Sequence, residues 1–366
     1  MSELETAADP GPADGSPFPP VGRAESGQKL LQFLQRRLNL PPALLHRWIR
    51  TGQARLNGRR AKPFARVSEG DLVRVPPFAA ALAAQAGAPL LNGSAATPPE
   101  AGAASASSAA LPPLPPLIGS LGDIWAFNKP AGLPTHPGTG HADSLSSRLA
   151  AHAPGAAFPP TPAHRLDKDT SGILLVAATH DALRALQEGF RERRIHKEYV
   201  AWVAGRWPFA GPRLLRAHLR KEGPEGAERM RVCAPGTEPA PNSREALCVV
   251  RPLKVGDEAS LLQIRLITGR THQIRVQLAD LGHPVLGDAK YGRGRRDACP
   301  GLCLHALRVT LPDGRALECL PDWPAPHGLD ALPAPMPLTA DEAAVKTAPA
   351  QLSPHPAAGP APGAPH

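Results

Sequence analysis

A polar segment, His164-Arg165-Leu166-Asp167-Lys168-Asp169-Thr170-Ser171-Gly172, runs directly into five apolar residues, Ile173-Leu174-Leu175-Val176-Ala177. The apolar run is typical of a strand buried on both faces, so the polar segment is predicted to be the loop that enters the core of a sheet. Beyond it, Asp181 is placed to cap a helix whose apolar side carries Leu183, Leu186 and Phe190. The loop is therefore expected to hold its polar side chains between two rigid elements.

Proline divides the chain into folded and unfolded parts. Among 366 residues there are 46 Pro and 34 Gly, yet 42% of the residues are hydrophobic, which excludes a fully disordered chain. Prolines are concentrated in three segments, which are predicted to be a disordered N-terminal tail (1–26), a flexible Ala/Pro-rich linker (79–120) and a disordered Pro-rich tail (331–366). Two folded units remain, a small one over 27–78 and one over 121–330 that is long enough to bury a sizeable core.

The positive charge is concentrated in the small unit. The whole chain carries a net charge of +9, while residues 27–78 alone contain 11 basic and two acidic residues. A charge of this density favours a polyanionic partner, most often nucleic acid, over a merely solvated basic surface.

The small unit is predicted to contain two short helices followed by short strands. Leu30, Leu31, Leu34 and Leu38 have helical spacing, and Pro41-Pro42 suits the start of a second helix that ends near Gly52. This layout resembles the small RNA-binding domain first described in ribosomal small-subunit protein four. The residues expected to bind RNA from one basic face are Arg36, Arg37, Arg47, Arg50, Arg59, Arg60 and Lys62.

The large unit carries a series of motifs in a characteristic order. After the segment quoted above they include Lys197-Glu198-Tyr199-Val200-Ala201-Trp202-Val203, Thr268-Gly269-Arg270-Thr271-His272-Gln273-Ile274-Arg275 and His283-Pro284-Val285-Leu286-Gly287-Asp288 with Tyr291-Gly292; Asn128-Lys129-Pro130-Ala131-Gly132-Leu133 precedes them and Leu304-His305-Ala306 follows. Together they resemble the RluA-type pseudouridine synthases over about 121–325. One departure is Gln277, where many members have His.

The resemblance implies both a fold and an activity. It implies an α+β fold, with a mixed, largely antiparallel central sheet flanked by helices, beside the small basic α/β RNA-binding domain. The implied activity is isomerisation of specific uridines in RNA, with large-subunit ribosomal RNA as the expected substrate and transfer RNA as the alternative. A non-catalytic RNA-binding or folding factor is the alternative from a different class. The reaction transfers no electrons and gains no atoms, so no cofactor and no metal are expected.

Three residues are candidates for catalysis. An ionised Asp167 can add to ribose C1′ or assist loss of the 2′ proton, and the sequence does not choose between these routes. The resemblance implies that Arg270 pairs with this carboxylate; binding of an RNA phosphate alone is the alternative. Tyr199 lies on a predicted strand, where the resemblance favours stacking on the uracil and help in removing the C5 proton over simple core packing.

Three further residues of the large unit are candidates for RNA contacts. The target base has to leave its stack, and the planar guanidinium of Arg165 could fill the vacated place. Lys129 and Arg275 could contact phosphate or ribose, with buried structural pairing as the alternative for both.

Other sequence features set the expected environment. The first residues lack the pattern of a signal peptide and no run of 18 apolar residues occurs, so no membrane contact is expected. The cysteines, five in number and scattered, predict a cytoplasmic protein with reduced thiols. Cys299, Cys303 and His305 provide too few ligands for a closed zinc site. RNA is the expected partner of a monomer that needs no obligate protein partner.

Overall fold

The computed structural model describes residues 18–85, 112–138, 143–223, 229–233, 242–292 and 299–337. The α-helices are α1 (Leu30–Leu38), α2 (Pro42–Thr51), α3 (Ala79–Gln85), α4 (Leu145–His152), α5 (His180–Arg191) and α6 (Gln273–Asp280). The strands are β1 (Arg55–Leu56), β2 (Arg59–Arg60), β3 (Val73–Arg74), β4 (Leu117–Leu121), β5 (Ile124–Lys129), β6 (Thr161–Pro162), β7 (Ser171–Ala177), β8 (His196–Ala204), β9 (Arg213–Glu222), β10 (Arg229–Val232), β11 (Arg244–Val255), β12 (Ala259–Leu266), β13 (Leu304–Thr310) and β14 (Ala316–Glu318).

The chain divides into two compact units that both draw on several segments. The first comprises the described residues of Met1–Phe127, Thr135–Arg165 and Leu175–Glu188. The second comprises those of Asn128–Pro134, Leu166–Leu174 and Gly189–His366. The chain thus passes from one unit to the other within β5, β7 and α5, which differs from the predicted arrangement of consecutive units.

The small basic domain lies in the first unit and is built on the helix pair α1 and α2. Both helices end at a residue in the left-handed conformation, Asn39 after α1 and Gly52 after α2, while Pro42 occupies the first turn of α2. Asn57 and Gly58, both with positive φ, form the turn that joins β1 to β2. The predicted helices and hairpin are therefore present at the predicted positions.

The core of this domain extends beyond the predicted limits of 27–78. Phe18 and Val21 are buried in it on the N-terminal side, and Ala79 and Ala83 of α3 are buried on the other. This corrects the predicted tail over 18–26 and the predicted linker over 79–85. Proline content misled the prediction because apolar residues between prolines still gain free energy from burial when a groove is available.

The second unit contains a large mixed sheet. Its strand order is β10-β9-β11-β12-β8-β13, followed by the first residues of β7. All neighbours are antiparallel except β13 and β7, which run parallel with His305 opposite Ser171 and Ala306 opposite Gly172. The α+β class with a mixed, largely antiparallel sheet is confirmed.

Residues 331–337 lie along one face of this sheet, which corrects the predicted start of the disordered tail at 331. Met336 is buried, and its backbone N–H donates to Oε1 of Glu198 at 3.1 Å. Arg265 donates to the carbonyls of Met336 and Pro337 at 3.0 and 2.6 Å, and Arg308 donates to that of Pro333 at 2.9 Å. Buried guanidinium groups need acceptors, and this segment supplies them. The rest of the predicted tail, from residue 338, lies outside the described residues.

Two further predictions concern the cysteines and the membrane. Cys299 and Cys303 form a disulfide, while Cys233, Cys248 and Cys319 are free, so the expectation of five reduced thiols is corrected for the first two. The two cysteines are four residues apart in the chain. Among the described helices, none has the length and apolar character needed to cross a membrane.

Candidate active site

The loop that carries Asp167 is fastened to the backbone by a buried lysine. The ammonium group of Lys129 is 0% exposed and donates to the carbonyls of Lys168, Pro130 and Leu133 at 3.0, 2.8 and 2.8 Å. Burial lowers the pKa of Lys129 to about 8, although the nearby Asp169 and Asp167 act in the opposite direction. This corrects the prediction that Lys129 contacts RNA, because all three of its N–H groups are already used inside the protein.

The other end of the loop passes very close to β13. Gly172 has φ +109°, and a Cβ built on it would lie 2.3 Å from the carbonyl oxygen of Ala306. The Thr170 N–H donates to the Asp167 carbonyl at 3.2 Å. The loop is thus a tight turn that requires glycine at its exit and places the Asp167 side chain, which is partly exposed, at the edge of the sheet.

Arg275 is the arginine that reaches Asp167. Its Nη1 lies 3.4 Å from Oδ2 of Asp167, while its Nε and Nη2 each donate to Asp288 at 2.8 Å. Burial opposes both charges, yet the hydrogen bonds between the two residues leave the pKa of Arg275 raised and the pKa of Asp288 lowered. The sequence left two roles open for Arg275, a contact to phosphate or ribose and a buried ion pair. The structure shows the buried ion pair, with Asp288.

Arg270 does not pair with Asp167, which corrects the role that the resemblance implied. Arg270 is exposed, and its Nε donates to the Glu245 carbonyl at 2.9 Å. The cause is the position of the helix start. α6 begins at Gln273, with His272 as its N-cap, so Arg275 in the first turn of the helix is the arginine that is buried and reaches Asp167.

Tyr199 lies on β8, opposite Ile264 on one side and Ala306 on the other. It is only 5% exposed, and its pKa is raised, first by burial and then by the negative charge of Asp167. The negative charge of Asp167 therefore acts on this hydroxyl, while the predicted roles of Tyr199 on the base stay a prediction. Its hydroxyl is neutral at physiological pH.

His272 and Tyr291 also border the carboxylate, although sequence reasoning did not single them out. Nε2 of His272 lies 3.9 Å from Oδ2 of Asp167, and its Nδ1 is 2.8 Å from the Tyr291 hydroxyl. The signal was present in the sequence, because both residues stand inside the quoted motifs. They were not predicted as site residues because a His or a Tyr with no known partner is most simply interpreted as a core packing residue.

Arg165 and Gln277 complete the predicted set in the large unit. Arg165 is exposed, two residues before Asp167 in the chain, so its guanidinium is accessible to a ligand. Gln277 is buried, and its Nε2 donates to the carbonyls of Leu215 and Ala246 at 3.4 and 3.3 Å. Gln277, which stands where many family members have His, therefore binds the backbone of β9 and β11 through these hydrogen bonds.

The basic surface of the small domain is smaller than predicted. Arg47, Arg50, Arg60 and Lys62 are exposed and, together with His46, line a groove of about 560 Å³; Arg59 is exposed as well. Arg37 is instead buried in a bidentate ion pair with Glu25. Arg36 stacks on the Phe158 ring at 4.5 Å, and burial lowers its pKa. The prediction that Arg36 and Arg37 bind RNA is therefore corrected, because both side chains already have partners inside the protein.

Comparison with known proteins gives a consistent result. Residues 123–280 match the family model described as RNA pseudouridylate synthase. Among curated proteins, the chain is 32% identical over 317 residues to Ribosomal large subunit pseudouridine synthase C of Vibrio parahaemolyticus, which covers 84% of this chain and 90% of that protein. The protein of the same description from Escherichia coli K12 is 34% identical over 304 residues, covering 79% and 86%.

Solved structures include a similar chain. Human RNA Pseudouridylate Synthase Domain Containing 1 has 28% sequence identity and a TM-score of 0.48, over 66% of this chain and 98% of that chain.

Proposed function

The chain belongs to the RNA pseudouridylate synthase family, and from that premise we propose that it isomerises specific uridines of large-subunit ribosomal RNA to pseudouridine. The substrate follows the description shared by the Vibrio and Escherichia coli relatives, which align with most of this chain. Because ribosomal RNA is the proposed substrate, we propose that the protein acts in the cytoplasm as a monomer and that RNA is its partner.

The observation that carries the chemistry is the carboxylate of Asp167 facing the fixed guanidinium of Arg275. Isomerisation breaks the bond from C1′ to N1 of uracil, turns the base over and joins C1′ to C5. The C5 proton then leaves and N1 gains a proton, so atoms and electrons balance without a cofactor. As in retaining glycoside chemistry, a carboxylate faces the electron-poor C1′. Asp167 either adds to C1′ or takes the 2′ proton.

Arg275 orients the carboxylate of Asp167. Its Nη1 lies 3.4 Å from Oδ2 of Asp167, and the two hydrogen bonds to Asp288 prevent the guanidinium from turning away. The contacts of this site therefore hold the catalytic carboxylate in a fixed position.

Tyr199 and Arg165 act on the base. The ring of Tyr199 stacks on the extruded uracil, and its hydroxyl helps to remove the C5 proton in the last step. Because burial and Asp167 raise the pKa of that hydroxyl, it remains protonated and works as a relay. It accepts the C5 proton while it gives its own proton to a solvent water, and N1 takes its proton from solvent. The exposed guanidinium of Arg165 fills the stack that the base has left.

The small domain holds the RNA. Its layout resembles the domain of ribosomal small-subunit protein four, and its groove presents four exposed cationic side chains, those of Arg47, Arg50, Arg60 and Lys62. Within the part of the chain that the structure describes, these cations have no carboxylate partner, and exposed cations of this kind suit the phosphates of a folded RNA.

The test is a pseudouridine map of total RNA from cells with and without the gene, followed by reaction of the purified chain with transcripts. We expect positions in large-subunit ribosomal RNA to lose pseudouridine, and the purified chain to restore them. The Asp167→Asn variant is the matched control, expected to bind RNA and leave it unmodified. If only transfer RNA loses pseudouridine, transfer RNA is the substrate instead of ribosomal RNA. If the pseudouridine map is unchanged and the chain still binds RNA, the protein is better explained as a non-catalytic RNA-binding or folding factor.

A further inference from the structure

His272 has an unusual backbone for its residue type. It stands at the N-terminal end of α6 with φ 53° and ψ 21°, in the left-handed region that glycine and asparagine adopt most readily. Residues other than glycine persist in this region where the surrounding structure fixes them, and such residues are concentrated at functional sites. In this conformation Nε2 of the imidazole lies 3.9 Å from Oδ2 of Asp167.

The Tyr291 hydroxyl is the hydrogen-bond partner of Nδ1 of His272. The Tyr291 oxygen accepts the Met230 N–H at 3.2 Å and lies 2.8 Å from Nδ1 of His272. When the hydroxyl donates to Nδ1, the proton of a neutral imidazole is on Nε2. The two rings also meet edge to face, with centroids 5.6 Å apart. Burial lowers the pKa of His272, which favours the neutral ring, and its Nε2 lies 3.9 Å from Oδ2 of Asp167.

The two oxygens of Asp167 have different surroundings. Arg275 Nη1 and His272 Nε2 both approach Oδ2, at 3.4 and 3.9 Å. In the described part of the chain, no hydrogen bond is made to Oδ1. Both distances exceed that of a strong hydrogen bond, as is common before a substrate is bound.

We propose that His272 is a positioning residue of this site: with Arg275 it holds Oδ2 of Asp167, so that Oδ1 is the oxygen presented to C1′ of the target uridine. The inference rests on the proposed role of Asp167. His272 touches neither base nor ribose in this scheme, and it acts by donating its Nε2 proton to the carboxylate. Tyr291 in turn sets the tautomer that makes this donation possible.

Variants of the full-length protein separate this role from a purely structural one. His272→Gly accepts the left-handed backbone and removes the donor, whereas His272→Asn also suits that backbone and retains an amide N–H. Release of tritium from RNA labelled at C5 of uridine reports the rate. We expect His272→Gly to lose about tenfold to a hundredfold in kcat, the range found for groups that orient a reactive ligand, with KM nearly unchanged. Added imidazole and the Asn variant should each restore part of kcat.

Tyr291→Phe provides a second measurement that does not depend on catalysis. It keeps the ring contact and deletes the hydroxyl. In protein labelled with ¹⁵N-histidine, the His272 resonances, assigned by comparison with His272→Asn, should show a protonated Nε2 in the wild type and mixed tautomers in Tyr291→Phe.

Full kcat in His272→Gly, no recovery with imidazole or Asn, or a protonated Nδ1 in the wild type would each overturn the proposal. The same assays distinguish failure of the underlying function. Activity in Asp167→Asn would remove the catalytic role of that carboxylate, while an inactive Asp167→Asn beside a fully active His272→Gly would remove only the role of His272.

Discussion

Arg275 is bound to Asp288 by two hydrogen bonds of 2.8 Å, one from Nε and one from Nη2, in a pair that is almost fully buried. Bidentate pairing fixes the plane of the guanidinium, so the remaining Nη1 points in one direction, toward Asp167. Asp288 thus determines where the positive charge of the site lies, although it does not contact Asp167 itself.

Arg275→Lys should therefore be far more harmful than Arg270→Lys. A lysine keeps the charge but cannot bind Asp288 through two donors and reach Asp167 at the same time. We expect kcat of Arg275→Lys to fall by about a hundredfold, the usual cost of losing one preorganised donor. Arg270→Lys is the matched control and should stay within about threefold of the wild type, since its Nε contacts a carbonyl at the surface. If Arg270→Lys lost more kcat than Arg275→Lys, Arg270 and not Arg275 would be the functional partner of the Asp167 carboxylate.

The pair between Arg275 and Asp288 should leave a mark on the pH dependence of stability. Because the folded state lowers the pKa of Asp288, the pair contributes its full stabilisation above the unfolded pKa of about 3.9 and loses it as pH falls through the lower folded pKa. Asp288→Asn should cost about 3 to 5 kcal/mol at neutral pH, as for other broken buried pairs. Urea unfolding between pH 3 and 8 measures this. The difference between wild type and variant should be constant above about pH 4 and shrink below it; a difference that grows on acidification would contradict the prediction.

Gly172→Ala should destabilise the loop exit. The added Cβ would meet the Ala306 carbonyl at 2.3 Å in a backbone with φ +109°, so the β7–β13 pairing has to shift. We expect a loss of about 2 to 4 kcal/mol in the free energy of unfolding, together with a lower kcat, because Asp167 moves with the loop. Gly211→Ala is the control, since a Cβ there has open space and the residue does not have a positive φ. Equal stability of the two variants would argue against the close approach.

The basic groove of the small domain should control the salt dependence of RNA binding. Replacing Arg47, Arg50 and Arg60 with Gln removes three exposed cations that line it. Each lost phosphate contact reduces the magnitude of the slope of log affinity against log salt by about 0.7 to 0.9, so the slope of the triple variant should be shallower by about 2 to 3. Arg206→Gln with Arg315→Gln, both exposed and paired with carboxylates, is the control and should leave the slope unchanged. An unaltered slope in the triple variant would exclude the groove from RNA binding.

Local patterns predicted the parts of the molecule that depend on neighbours in sequence. These patterns predicted the polar loop that begins at His164, the buried strand that follows it and the strand that carries Tyr199, and the structure has all three. These features need only the immediate sequence because side-chain direction in a strand has a period of two residues.

Partners of charged residues could not be predicted in the same way. Arg37 finds Glu25 and Arg275 finds Asp288, and both pairs are set by tertiary packing that no helical or strand period encodes. An arginine among apolar neighbours is nevertheless a useful sign of a buried pair, since an unpaired charge is very costly in a core. Arg275, between Ile274 and Val276, showed that sign, whereas the exposed Arg270 did not.

The segment from Leu332 to Pro337 provides a final test, because its composition predicts disorder and its contacts do not. Truncation after Asp330 would leave Arg265 and Arg308 without the carbonyls that they now bind and would uncover Glu198. Buried donors that lose their acceptors are costly, so we expect this variant to lose about 3 kcal/mol of stability and several degrees of Tm. Truncation after Pro337 keeps every one of these contacts and should retain the Tm of the full chain. Calorimetry of both variants decides the point, since equal melting temperatures would mean that the segment contributes nothing to the fold.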